Sequence, residues 1–209
     1  MTGKPLYKFF ISAGMLLAWF AVILQFYLIL VNRAASVPET IIRFFSFYTI
    51  LTNMLVAICF TLLLFQKSKW YTFFSSPKTL TAITVYIVIV GAVYNLVLRN
   101  IWQPQGMQLL VDELLHSVDP VLFLLFWIFF VNKSELKWKN VFPWLIYPLV
   151  YLIYILIRGS FANWYPYPFV DVIQLGYSKV LINSVLLSIT FIAVSLVFIA
   201  MSKFGNKKP

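Results

Sequence analysis

A chain of 209 residues that is 62% hydrophobic and only 11% charged is too apolar for a water-soluble domain, where about a quarter of residues carry charge. Its 16 Lys and Arg against six Asp and Glu give a net charge of +10, but these basic residues are scattered through short polar intervals. That excludes a nucleic-acid-binding patch and points to membrane orientation, while the single Cys59, inside an apolar run, excludes a disulfide framework and a cysteine metal centre.

Six segments are long and apolar enough to cross about 30 Å of hydrocarbon as helices of roughly 20 residues. The first, 9–31, is too long for the core of a removable signal and no clean small-residue cleavage site follows it. The second, 42–65, carries a polar stripe. In IIRFFSFYTILTNMLVA, Arg43, Ser46, Thr49 and Asn53 follow steps of three, three and four, one face of a continuous helix. The third, 79–98, ends in VYNLVLRN, with Asn95 and Arg99 four apart. The fourth, 114–131, is entered through VDELLHSVDP, where Asp112, His116 and Asp119 fall at steps of four and three. There Asp119 before Pro120 also fits a helix cap. The fifth, 141–157, places Tyr147, Tyr151, Tyr154 and Arg158 at steps of four, three and four, and NWYPYPFVD with Asp171 separates it from the sixth, 178–201. The expected architecture is all-α: one domain over 1–209, a compact bundle of six transmembrane helices.

Orientation follows from the basic residues. Lys4, Lys8, Lys67, Lys69, Lys78, Lys133, Lys137, Lys139, Lys203, Lys207 and Lys208 fall on one side, eleven against the five of Arg33, Arg43, Arg99, Arg158 and Lys179. Both termini are therefore expected in the cytoplasm of a multi-pass cell-membrane protein. Tyr and Trp in WYTFFSS and NWYPYPF suit the headgroup interfaces.

Polar groups on four spans thus approach one depth near the extracytoplasmic side. Groups of this kind are costly against lipid and are expected to face the bundle interior. Their bland use is helix–helix hydrogen bonding; their chemical use is a site. His116 is the only histidine and can act as a base beside Asp112 or Asp119. One histidine without a second ligand at metal spacing gives no metal or haem site, so no cofactor is expected.

The stretches RFFSFYTILTN, YNLVLRNIWQPQG, DELLHSVDPVLFLLFW, FPWLIYPLVYLIYILIRG and NWYPYPFVDV resemble the bacterial Pr6Pr membrane proteins over nearly the whole chain. That resemblance implies a bacterial inner-membrane location and supplies no activity. More distantly, HSVDPVLFLLF, WYPYPFVD and RFFSF are similar to elements of the FAR-17a/AIG1-like integral-membrane hydrolases of fatty acid esters of hydroxy fatty acids. By this resemblance His116 is the base and the family's nucleophilic threonine falls on Ser46, with Thr49 a second candidate one turn deeper.

The expected chemistry is hydrolysis of a lipid or fatty acyl ester. Ser46 or Thr49 attacks the carbonyl after His116 removes its proton, and Asp112 or Asp119 orients the imidazole. Arg43, Asn53, Asn95, Arg99, Arg158 and Asp171 are candidates for substrate binding or for holding the oxyanion. Two other classes use the same residues: a small-molecule or proton-coupled transporter, which needs a polar path through both membrane halves, and a noncatalytic lipid-binding or assembly protein, whose polar stripe is saturated by packing. The expected partners are membrane lipids and an acyl ester; the sequence does not fix the oligomeric state.

Overall fold

The computed structural model describes residues 5–204, and no β-strand occurs among them. Lys4, Lys207 and Lys208 of the orientation count lie outside the described residues. Five helical stretches are long and apolar enough to cross a membrane, and a sixth span forms if one bent helix pair is taken as a single crossing. The protein is a polytopic, all-α membrane bundle of up to six spans. It divides between Glu135 and Leu136 into two compact units.

In the first unit, α1 (Pro5–Val31) turns Leu6, Phe9, Leu16, Phe20, Ile23 and Tyr27 outward, where lipid solvates them. Its inward face carries Gly14, Ala18 and Ala21, and small residues at this spacing let a neighbouring helix come close. That neighbour is α3 (Tyr48–Leu64): a β-carbon on Gly14 would sit 2.6 Å from the Phe60 ring. Phe60 in turn packs edge-on against Phe123 and Phe126, with ring centroids 5.1 and 5.3 Å away. Two indole N–H groups of this unit find hydroxyls, half-buried Trp19 on Thr61 at 3.0 Å and buried Trp127 on Thr81 at 2.9 Å.

The second span is not one helix. α2 (Val37–Phe44) and α3 meet at 68°. The Ser46 hydroxyl donates to Ile42 O at 2.7 Å and its N–H to Arg43 O at 3.0 Å, which tightens the turn, and Phe47 is extended before α3 begins. Phe44 plugs into Phe26 at the bend. The expected four-residue stripe is therefore corrected: Arg43 lies on α2, Ser46 in the break, and only Thr49 and Asn53 on α3.

The third span, α4 (Pro77–Leu98), starts with proline in its first turn, where a missing N–H costs nothing. Its last five residues, Tyr94–Leu98, form a π-helical turn closed by Arg99 N–H to Tyr94 O at 2.8 Å. The fourth, α5 (Met107–Phe130), begins well before the expected 114 and takes Asp112 and Glu113 into the helix. It too carries a π-helical turn, Leu114–Val118, in which Asp119 N–H reaches back to Leu114 O. Helical dihedrals continue through Asp119 and Pro120. Asp119 is therefore not a helix cap, and that expectation is corrected too.

Past this helix, Lys133 lies 4.5 Å over the Trp127 ring and donates to Ile128 O and Val131 O at 2.9 and 3.0 Å. It caps carbonyls that the helix end leaves open, and partial burial pulls its ammonium below the usual lysine range.

In the second unit, the expected 141–157 span extends over Trp138–Ala162, most of it the helix α6 (Ile146–Ala162). Pro148 falls in its first turn, and a short helix, Val141–Trp144, ends just before it, where Pro148 has no N–H for the Trp144 carbonyl. α6 ends at left-handed Asn163, and the chain folds back so that the Tyr165 ring fills the space a side chain on Gly159 would need. α7 (Val172–Phe204) starts before the expected 178 and is interrupted at Gly176, whose φ of 73° suits a residue without a β-carbon. Asn183 holds the intervening turn by donating to Phe169 O at 2.9 Å.

Candidate functional site

The two π-helical turns of α4 and α5 pack against each other, and the polar side chains of the first unit gather around them. Gly91 permits the approach, since a β-carbon there would meet His116 O at 3.0 Å and Pro120 Cβ at 3.1 Å. Turns of this kind are uncommon and concentrate at functional sites, because the extra residue per turn re-aims the side chains around it.

His116 lies flat on the Tyr94 ring, centroids 3.8 Å apart and planes 12° from parallel. Its Nδ1 is 2.9 Å from the main-chain oxygen of Asp112. A carbonyl only accepts, so Nδ1 bears the proton and the lone pair of the neutral ring sits on Nε2. The imidazole is thus fixed in tautomer and tilt, the arrangement a general base needs. The group that fixes it is the Asp112 backbone rather than its carboxylate, which corrects the expected triad geometry.

The Asp112 carboxylate does something else. It is 4% exposed and surrounded by neutral donors: Tyr94 Oη at 3.2 Å and Trp102 Nε1 at 2.6 Å reach Oδ2, and Gln108 Nε2 at 2.8 Å reaches Oδ1. Gln108 also bonds Gln25 Oε1 of α1 at 2.8 Å. One carboxylate therefore ties α1, α4, α5 and the α4–α5 connector together.

A second layer lies toward the Arg99 end. Arg99 Nη2 pairs with Glu113 Oε1 at 2.5 Å and is 3.4 Å from Ser117 Oγ, while Ser117 donates to Glu113 Oε2 at 2.7 Å. The pair is partly open, with side chains 43% and 34% exposed. The guanidinium also covers the Tyr94 ring at 5.4 Å.

The asparagines serve the backbone. Pro120 has no N–H to offer the carbonyls four and five residues before it, those of His116 and Leu115. Asn95 Nδ2 donates to His116 O at 3.2 Å and Asn53 Nδ2 to Leu115 O at 3.2 Å; each also bonds a carbonyl of its own helix, Gly91 O and Thr49 O, at 2.9 Å. With both amides spent on carbonyls, neither Asn95 nor Asn53 is presented as an oxyanion donor, and that expectation is corrected.

Ser46 and Thr49 are both buried, but neither is a hydrogen-bond partner of His116, whose contacts are to Asp112 and Tyr94. Arg43 pairs with Glu39 at 2.8 Å within α2. Asp119 is fully buried with both carboxylate oxygens unpartnered. In the second unit, Arg158 stacks on Trp164 at 4.8 Å and donates to Trp164 O at 3.3 Å. Asp171 caps α7, accepting from Ile173 N at 2.9 Å, Gln174 N at 3.2 Å and Gln174 Nε2 at 2.9 Å.

Tyr94, Trp102, Gln108, Gln25 and Ser117 were not singled out by the sequence reading. Tyr94 and Arg99 are five residues apart, a step that shares a face only in a π-helical turn. Among the described residues no group of three or more His, Cys, Asp or Glu could hold a metal ion. No family model, curated protein or solved structure matches the chain.

Proposed function

We propose that the protein is a membrane-embedded hydrolase of lipid or fatty acyl esters, with His116 as general base. The observation that carries this reading is the imidazole itself. It is held through Nδ1 and clamped on Tyr94, which leaves Nε2 as the proton acceptor inside a mostly apolar bundle. In the reaction, Nε2 takes the hydroxyl proton of Ser46 or Thr49 as that oxygen bonds to the acyl carbon. The same proton leaves with the alcohol, and water then frees the acid from the acyl-enzyme. Ser46 at the α2–α3 break is the preferred nucleophile because the resemblance of RFFSF places it there. A catalytic hydrogen bond absent from the resting protein can form once substrate closes the site. Arg99, released from Glu113, is the nearest cation for a substrate headgroup or the developing oxyanion.

The polar cluster is one-sided, and this favours hydrolysis over transport. From Asp119 onward α5 carries no further ionisable residue to its end at Phe130, and Phe60, Phe123, Phe126 and Trp127 close the interior beneath it. A transport path needs polar groups through both halves of the membrane. The assignment carries with it the Pr6Pr resemblance and a place in the bacterial inner membrane, with the site on the extracytoplasmic side.

Labelling of the detergent-purified protein with a lipophilic fluorophosphonate tests the reading. Labelling is expected in wild type, lost in H116A and lost in one of S46A and T49A, with all variants folded by circular dichroism. Undiminished labelling of folded H116A, or none in folded wild type, sinks it.

A further inference from the structure

Asp119 takes no part in the acid–base arrangement above, yet it is the most deeply placed carboxylate of the first unit. It is 0% exposed, and neither Oδ1 nor Oδ2 has a hydrogen-bond partner in the protein. A carboxylate in low dielectric without a partner is strongly unfavourable, as any uncompensated buried charge is. On α3, Asn53 is also 0% exposed; its amide nitrogen is spent on Thr49 O and Leu115 O, and its Oδ1 is unpartnered.

Asn53 and Asp119 meet the same turn of α5 from two helices. Asn53 docks on the Leu115 carbonyl, and Leu115 lies one turn before Asp119 on α5. Side chains on a helix lean toward its N-terminus, so the Asp119 carboxylate leans back over the turn that Asn53 touches. Asp119 Oδ1 and Oδ2 and Asn53 Oδ1, three acceptors without a hydrogen-bond partner, thus flank one turn of α5, where the Asn53 amide N–H groups are already spent on carbonyls. Pro120 adds to them, because the Leu115 carbonyl keeps a second lone pair beyond the one Asn53 occupies.

We propose that Asp119 and Asn53 form an intramembrane binding site for a monovalent alkali cation, of which sodium is the natural probe. The ligands are Asp119 Oδ1 and Oδ2 and Asn53 Oδ1, with the Leu115 carbonyl within reach. Hard oxygen donors suit an alkali ion. The single charge of Asp119 is balanced by a monovalent ion, whereas a divalent one would leave a net positive charge buried at this depth. A proton joins only two of the three oxygens.

Thermal unfolding of the full-length protein in detergent tests the site, with sodium chloride replaced stepwise by choline chloride at constant ionic strength and pH. The melting temperature of wild type is expected to rise with sodium and saturate, as binding to the folded state requires. N53A is expected to need more sodium for the same rise. D119N is expected to show no rise, and in choline to melt no lower than wild type because its amide carries no charge. Binding of radioactive sodium to wild type, with D119S as a second variant should D119N fail to fold, reads the same site directly. The proposal is overturned by a melting temperature that ignores sodium, by one that follows pH alone, which would make the occupant a proton, or by full sodium dependence in folded D119N.

Discussion

The two ends of the α4–α5 pair solve the same packing problem with opposite chemistry. At the Trp127 end, regular helices bury Phe60, Phe123, Phe126 and Trp127, and the few polar groups there turn inward onto backbone or single hydroxyls, as Thr84 does on Leu80 O at 2.7 Å. At the Arg99 end, both helices are π-distorted and a carboxylate, an imidazole, two amides and an ion pair hold them together. In a membrane, apolar side chains gain little by leaving lipid, so the aromatic end is stabilised by shape and dispersion. The polar end is specified by mutual need, because each group there would be costly with its partner removed. The first end makes a floor and the second makes a site.

Breaking the floor should show an effect as large as any. Phe126→Ala removes a ring wedged among Phe60, Phe123 and Tyr7, and about 3 kcal/mol of stability is the expected loss, the low end of the range for a buried ring because packing rather than transfer from water is lost. Detergent unfolding reads that loss, and fluorophosphonate labelling of the fraction still folded should persist. Asp112→Ala is next. It leaves Tyr94 Oη, Trp102 Nε1 and Gln108 Nε2 without their acceptor, an expected cost of about 3 kcal/mol. Unlike the floor variant, it should also abolish labelling, since Tyr94 then no longer holds the imidazole; labelling intact in folded D112A would separate the carboxylate from the site. The smallest effect belongs to Glu113→Gln. The Arg99 pair is partly exposed, so its loss should change stability by less than ~1 kcal/mol. Labelling should become less sensitive to salt, because the charge that salt screens against Arg99 is gone.

Much of this comparison can be read in the residues alone, and the reasons for the rest are physical. Apolar run length shows the spans, because hydrocarbon thickness sets it. The spacing of four puts His116 beside Asp112, but it points to the carboxylate, whereas the main-chain oxygen makes the bond. The α2–α3 break does not show: RFFSFYT has neither glycine nor proline, and at the turn the Ser46 hydroxyl bonds the Ile42 carbonyl. The π-helical turns are hidden for a related reason. An inserted residue shifts every later side chain around the helix, so stripes drawn at 3.6 residues per turn group the wrong partners. Trp102 and Gln108 reach Asp112 from a connector and from the first turn of α5, contacts that tertiary packing alone creates.

The proline in α5 also bears on how the chain is made. This helix alone carries Asp112, Glu113, His116 and Asp119, and Pro120 withholds one backbone donor, so it is a poor candidate to enter a bilayer by itself. The amides that complete it, Asn53 and Asn95, belong to helices synthesised earlier. The order of translation thus makes each donor before the acceptor that needs it.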